Sequence, residues 1–506
     1  MAHSENLSKS YSGSRVAKYT IYNLLGYGVP LVVAVVFIPL LIKGLGVERF
    51  GILNLAWVVI GYFSFFDFGI GRSLTKIVAE KIGLGQTEEI PGIFWTSFFL
   101  MLAISLTGTL ALIFFSPSLV YNFFNISKEL QQESINTFYV LALSIPIVTT
   151  TAGLRGVLEA YQKFGIINII RIILGVFTFL GPLLCLAFTQ SIFWIVLFLT
   201  LIRIVVWILY LVLCFKVNGN IKSEFKFDSA LIKPVLKLSG WMTVSNIVGP
   251  LITYLDRFLI GALLSVAAIT YYATPYEVVT KLFVIPSALV GVLFPAFSAT
   301  FINQPDLSKK FFLKGNKFVF IFLYPIVLII ITFAYEGMNI WLGSRFAEES
   351  TLVLQLLVLG VLLNSFAYLP FTFLQGIGRP DIPAKINLVE LPFYLFVMWF
   401  AIKQFGINGA ALVWFSLNFI NAIIQFFIVN KIIAANFKFN IRNLSTLVLV
   451  LSLIAPFVLS NLLFKVILSF GILLFFIIIT WRYFLLADEK LFLMSKIKLL
   501  NISAIM

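Results

Sequence analysis

The residues of this chain able to do chemistry are few, and they sit where charge is costly. Asn246, Gly249, Thr253 and the adjacent Asp256 and Arg257 recur at three- to four-residue spacing within one apolar run. A helix there carries one polar face on an otherwise apolar cylinder, as the wall of a wet cavity does. An ionised side chain at mid-membrane costs about 2.5–3.5 kcal/mol on insertion scales, so each such residue invites a substrate-binding or ion-handling role. Asp256 and Arg257 diverge by about 100° around a helix and so look to different partners, on another helix or in a substrate. Glu277 and Lys281 stand at i,i+4 in the favourable order and read either as a self-neutralising pair or as a substrate contact. Asp67 lies five residues before Arg72 and reads as a transport acid or as a helix-end carboxylate paired with that arginine. Arg203 has no local partner, and Arg155 with Glu159 forms an i,i+4 pair in the weaker order.

The elements that position these residues follow from composition. Of 506 residues, 61% are apolar and 11% charged, with a mean hydropathy of +1.05. That is far from an ordinary globular chain. The long unbroken apolar runs are those of a polytopic helical membrane protein and lack the alternation of a transmembrane barrel. The same composition removes enzymatic chemistry. His3 is the one histidine, Cys185 and Cys214 are the two cysteines, and the six aspartates contain no Asp-x-Asp pair. No metal cluster, Ser-His-Asp triad or phosphate-binding Gly-x-x-x-x-Gly-Lys loop can be assembled, so neither an enzyme nor a cofactor is expected.

About fourteen spans are expected, near 19–42, 50–71, 91–116, 136–156, 165–189, 191–215, 240–262, 270–298, 316–337, 351–374, 386–404, 407–432, 443–464 and 466–486. Lysine and arginine crowd the N-terminal tail, the even-numbered loops and the C-terminal end. The odd-numbered loops carry only Lys43, Arg49, Lys128, Arg345, Lys403 and Lys465. By the positive-inside rule both termini are cytoplasmic. The net charge of +15 therefore reflects topology and an affinity for anionic lipid rather than nucleic acid.

The halves echo each other. Asn23 and Gly26 in the first span match Asn246 and Gly249 in the seventh, an offset of 223, and the turn Gly156 to Asn168 resembles Gln375 to Asn387. An even number of spans per half makes the repeat parallel. The expected organisation is a cytoplasmic tail 1–18, an N-lobe 19–215, a linker 216–239, a C-lobe 240–432, an appended helix pair 433–486 and a cytoplasmic tail 487–506. The fold class is thus all-α, two six-helix lobes around a central cavity plus two C-terminal helices.

Ordered motifs then carry a resemblance. The run Phe66 to Arg72 followed by Leu74, Thr75 and Lys76 resembles the signature after the second span of polysaccharide flippases. Tyr254 to Gly261 resembles their seventh span, and Tyr271 to Pro275, Pro286 and Leu293 to Ser298 their eighth. Leu374 to Pro380 and Phe405 to Ala411 resemble two later motifs. The chain resembles the O-antigen/polysaccharide flippases (Wzx-type) of the multidrug/oligosaccharidyl-lipid/polysaccharide exporter superfamily. The resemblance implies a bacterial inner-membrane protein that moves an undecaprenyl-pyrophosphate-linked oligosaccharide between leaflets by alternating access, driven by an H+ or Na+ gradient. It implies substrate contact for Arg257 and Arg203 and ion coupling for Asp256 and Asp67. The reading of the residues themselves adds Asn246, Thr253 and Lys281 as expected substrate contacts and Glu277, Arg72, Arg155 and Glu159 as expected coupling or gating residues. Glycan polymerase and chain-length proteins are the implied partners, alongside membrane lipid.

Three rivals compete. A cation exporter calls for an acidic, aromatic cavity, whereas this chain buries as many cations as acids. A lipid-linked peptidoglycan-precursor flippase accounts for the appended helix pair. A membrane glycan polymerase or ligase needs a large catalytic outer loop, and the longest one here, 117–135, has one lysine, two glutamates and no histidine.

Overall fold

A hydrocarbon layer offers backbone N–H and C=O groups no water, so a chain this apolar closes its hydrogen bonds inside each segment and becomes helical. The computed structural model describes residues 30–491 except 31, 64–68, 234–250, 253, 288, 291–292, 294–296, 298–300, 302–303, 380, 434–440, 458 and 460. Among the described residues there are helices and turns and no strand. The helices are α1 (Val32–Leu45), α2 (Val47–Phe63), α3 (Ile70–Gly83), α4 (Ile90–Ser118), α5 (Lys128–Ala160), α6 (Phe164–Leu186) and α7 (Ile192–Val217). There follow α8 (254–263), α9 (Val266–Val279), α10 (Pro305–Thr332), α11 (Ala334–Leu342) and α12 (Ser344–Gly376). The last are α13 (Asp381–Ile432), α14 (Ile441–Ser452) and α15 (Leu462–Ile479). Eight described segments are long and apolar enough to cross a membrane, which makes this a multi-pass membrane protein.

Helices α4, α5 and α12 contain the spans expected at 91–116, 136–156 and 351–374, while α6 stops three residues short of the expected 189 and α7 starts one residue after the expected 191. Within α13 the backbone breaks at Gly406, which adopts φ 59° and ψ −142°. Only glycine takes such a conformation at little cost, and the break separates the two spans expected at 386–404 and 407–432. Elsewhere the boundaries move. Pro305 at the first turn and Asp306 beside it start α10 well before the apolar run, so the lysines at 309, 310, 314 and 317 are helical. Helix α9 tightens into a 3-10 turn over Thr280–Phe283, just before Pro286, which cannot donate to the Leu282 carbonyl. The turn expected near 465 falls at Asn461, whose Oδ1 accepts from Leu463 N at 2.9 Å. Lys465 therefore lies inside α15.

The described residues divide into two compact units, one drawn from Met1–Val284 and Pro380–Val413, the other from Ile285–Arg379 and Trp414–Met506. In the first unit, α5 packs against α3, α4 and α7. The stretch after α7 folds back onto α4: Trp95 Nε1 donates to Ile221 O at 2.9 Å, and Asp228 N donates to Thr96 Oγ1 at 3.0 Å. The far ends of the helices are tied by polar contacts from loops. Ser127 N donates to Glu48 Oε1 at 2.8 Å, and Arg49 pairs with Glu133 at 3.6 Å.

In the second unit, α14 and α15 are laid against α10. Tyr324 and Ser452 share a hydroxyl–hydroxyl bond of 2.7 Å, and the Tyr324 ring stacks on Phe476 with centroids 4.8 Å apart. Ion pairs hold both ends of α15. Lys465, 6% exposed, reaches Glu336 at 2.8 Å, and Glu489 beyond the span takes Lys317 at 2.6 Å. Partial burial pushes the Glu489 carboxyl up, but the bonds from Lys317 and Leu486 N and the charges of Lys317 and Lys314 outweigh it and hold it below its usual value.

Candidate functional site

The hairpin α8–α9, with the 3-10 turn that continues α9, carries four of the nine charged residues expected to matter, and three contacts fix its turn. Asn125 Nδ2 donates to the carbonyls of Ala262 at 3.1 Å and Leu264 at 3.0 Å, while Asn125 N donates to Gly261 O at 3.0 Å. Ser265 caps α9 by accepting from Ala268 N at 3.1 Å. Thr270 Oγ1 donates to Val47 O at 2.8 Å, which joins α9 to the start of α2. Helices α2 and α9 approach so closely at Gly51 that a Cβ there would clash with Val266 O.

This frame sets Asp256 opposite Tyr272. The Tyr272 hydroxyl donates to Asp256 Oδ2 at 2.6 Å, and Asp256 Oδ1 accepts from Arg257 N at 2.7 Å. Both side chains are fully buried. Arg257 goes a different way, as the divergence of neighbouring helix positions requires. It is 2% exposed, its Cζ lies 4.2 Å from the Tyr276 ring centroid and 5.7 Å from that of Tyr254, and its Nη2 is 3.8 Å from Glu277 Oε1. Neither Nη1 nor Nη2 has a hydrogen-bond partner. Glu277 bonds instead to Lys281, Oε2 to Nζ at 3.2 Å. Tyr394, from the first half of α13, is 2% exposed, its hydroxyl has no hydrogen-bond partner, and it lies within electrostatic reach of Asp256 and Tyr276.

The fixed charges of the cluster cancel, two carboxylates against two cations. The hydrogen-bonding capacity does not: a desolvated guanidinium offers five N–H donors, and two of its nitrogens here are unused. Leaving a buried donor unmet costs about 1–3 kcal/mol, more when it is charged. Stacking on two tyrosines recovers part of that through cation–π attraction. What remains is a donor group shaped for an oxyanion, with Glu277 already satisfied by Lys281 and so able to release its weak hold on Arg257.

The cluster thus unites Asp256, Arg257, Glu277 and Lys281. Of the other expected residues, the structure does not bring Arg203, Arg155 or Glu159 to it. Arg203 Nη1 donates to its own helix at Leu199 O, 3.3 Å away, and pairs with no carboxylate among the described residues. Arg155 and Glu159 pair with each other at 3.4 Å on a partly exposed helix end. Arg72 lies in α3, with its side chain outside what is described, and Asp67, Asn246 and Thr253 fall outside the described residues. The tyrosines were the missed members. Their signal was the i,i+4 spacing of Tyr272 and Tyr276, which puts both rings on one face of α9.

A family model described as polysaccharide biosynthesis protein matches residues 16–301. A Shigella flexneri protein that goes by an O-antigen transporter name is 32% identical over 411 residues, 79% of this chain and 94% of the relative. The lipopolysaccharide biosynthesis protein WzxC of Escherichia coli K12 is 25% identical over 206 residues, 40% of this chain and 42% of the relative. Among solved structures, the lipid II flippase MurJ in an inward closed conformation shares the fold with a TM-score of 0.70 at 16% identity, covering 92% of this chain and 99% of that one. An inward-facing multidrug resistance MATE family transporter of the MOP superfamily has a TM-score of 0.68 at 15% identity, covering 81% and 94%.

Proposed function

Because this chain belongs to the polysaccharide biosynthesis protein family, we propose that it is a flippase for a lipid-linked oligosaccharide, the repeat unit of an O-antigen or another surface polysaccharide. It moves its substrate across the bacterial inner membrane by alternating access between two six-helix lobes, 19–215 and 240–432, with both termini cytoplasmic. The observation that carries the reading is Arg257, a buried guanidinium with two nitrogens lacking hydrogen bonds. A pyrophosphate linker is the oxyanion such a group takes, through charge-assisted and often bidentate hydrogen bonds. The polar head cannot cross hydrocarbon unaided, and the polyprenyl tail stays in the bilayer.

In this proposal Asp256 and its Tyr272 hydrogen bond form the ion-responsive element. Taking up H+ or Na+ at Asp256 changes the bonding of Tyr272 and hence the position of Tyr276 beneath Arg257. Lys281 supports the substrate phosphate through Glu277. Arg203, Asn246 and Thr253 remain candidate substrate contacts, and Asp67, Arg72, Arg155 and Glu159 candidate coupling or gating residues. Glycan polymerase and chain-length proteins are the expected partners.

The test is a deletion of the gene in its host, complemented with wild type or with Arg257→Ala, while lipid-linked oligosaccharide and surface glycan are measured together. The proposal expects loss of surface glycan and cytoplasmic accumulation of undecaprenyl-linked repeat units, uncorrected by the variant. Normal surface glycan in the variant strain overturns the role of Arg257. Loss of peptidoglycan precursor export with surface glycan unchanged identifies the chain as a peptidoglycan-precursor flippase instead.

A further inference from the structure

A second charged region lies in the other unit, where nothing in the transport reading uses it. Lys310, Lys314 and Lys317 recur along one ridge of α10 and line a cavity of about 350 Å³. Most of the rest of its wall is apolar, with Phe320, Phe366, Phe426 and Phe484 contributing rings. These rings brace one another: Phe320 stacks on Phe484 with centroids 5.8 Å apart and on Phe366 at 6.2 Å. The cavity is therefore preformed, with cations at one side and hydrocarbon at the other.

The cations are not cancelled. Glu489 takes Lys317 at 2.6 Å and stands 3.8 Å from Lys314, while Lys310 is exposed and forms no ion pair among the described residues. One carboxylate thus serves two of the three ammonium groups. Asn316 lines the same space, donates to Phe312 O at 2.9 Å through Nδ2, and leaves its Oδ1 buried without a donor.

We infer that this cavity binds one anionic glycerophospholipid of the surrounding leaflet, with its phosphate on Lys310 and Lys314 and one acyl chain along the phenylalanine wall. The charge imbalance selects an anionic head, since lysines at a membrane surface attract anionic lipid. The aromatic wall selects a chain over a free ion, because burying methylene groups against it is favourable. A head-group hydroxyl supplies the donor that Asn316 Oδ1 lacks. The bound lipid fills the space beside the Lys317–Glu489 pair and so fastens the C-terminal end of the appended helix pair to α10.

The inference stands apart from the flippase reading, because its test reads lipid retention and not transport. The full chain is placed in nanodiscs of equal dioleoyl-phosphatidylglycerol and dioleoyl-phosphatidylcholine, released, and weighed by native mass spectrometry. Phosphatidylglycerol is expected to be retained preferentially. Lys310→Gln with Lys314→Gln is expected to lower that preference by about tenfold or more. Lys216→Gln with Lys222→Gln, lysines outside the cavity, is the control and leaves it unchanged. Neither inorganic phosphate nor glycerophosphoglycerol, a head group without chains, is expected to displace the lipid. Equal retention of the two lipids overturns the inference, as does an unchanged preference in the cavity variant. Displacement by phosphate alone reduces the site to an anion site and overturns its lipid part.

Discussion

The two units bury charge in opposite ways. In the second unit, Lys465 meets Glu336 and Lys317 meets Glu489 at 2.8 and 2.6 Å, each a direct hydrogen-bonded pair at a helix end. In the first, Arg257 meets Glu277 at 3.8 Å, too long for a hydrogen bond, and rests on tyrosine rings with two nitrogens unused. A charge that only holds helices together is drawn into tight contact, because a buried ion offsets its desolvation only with good geometry. A charge held slack in a buried site is kept for something that arrives. That contrast separates fastening from function more sharply than the mere presence of charge in a span.

The contrast can be broken by substitution. The largest effect is expected for Arg257→Ala, which removes the slack donor. Transport of lipid-linked oligosaccharide into proteoliposomes is expected to fall about 30-fold or more, the equivalent of losing a buried hydrogen-bonded charge partner. Next is Tyr272→Phe, which deletes the 2.6 Å bond to Asp256. Hydrogen bonds to charged groups are worth about 1.5–3 kcal/mol, so transport is expected to fall at least tenfold, with its dependence on external pH or Na+ altered.

The fastening charges behave in reverse. Lys465→Ala leaves Glu336 half-buried and unpaired, and is expected to lower unfolding stability by about 1–3 kcal/mol with transport retained. Gly51→Ala forces a methyl against Val266 O and is expected to cost about 1–3 kcal/mol, together with loss of transport, since it displaces α9 and its tyrosines. The smallest effect belongs to Glu489. Its carboxyl titrates below the usual value in the folded protein, so its contribution is present above the unfolded pKa near 4.3 and disappears as pH falls through the lower folded value. Thermal unfolding measured from neutral pH downward is expected to show this acid-side loss in wild type and its absence in Glu489→Gln.

Much of the fold was legible because apolar length and glycine chemistry are local. The runs at 91–116, 136–156 and 351–374 had nothing to become but helices, and Gly406 announced its break by type. The start of α10 was not legible from hydropathy, because Lys309 and Lys310 look like loop until Pro305 and Asp306 are read as a helix start. Nor was the turn at Asn461, where apolar residues run on both sides and only a side-chain cap marks the end. In the site, Asp256 and Arg257 were visible because charges in spans are rare. Tyr272, Tyr276 and Tyr394 were not, because aromatic residues abound here and their roles arise from packing between helices, for Tyr394 with one distant in sequence. Arg203 shows the converse: its rarity made it conspicuous, and the structure bonds it to its own helix.

The most direct test of the slack-charge account is binding of a polyprenyl pyrophosphate and of the matching polyprenol to purified wild type, Arg257→Gln and Lys465→Ala. The account predicts that wild type and Lys465→Ala prefer the pyrophosphate equally, and that Arg257→Gln loses this preference while binding polyprenol as before. Equal preference for the pyrophosphate in all three proteins would contradict it.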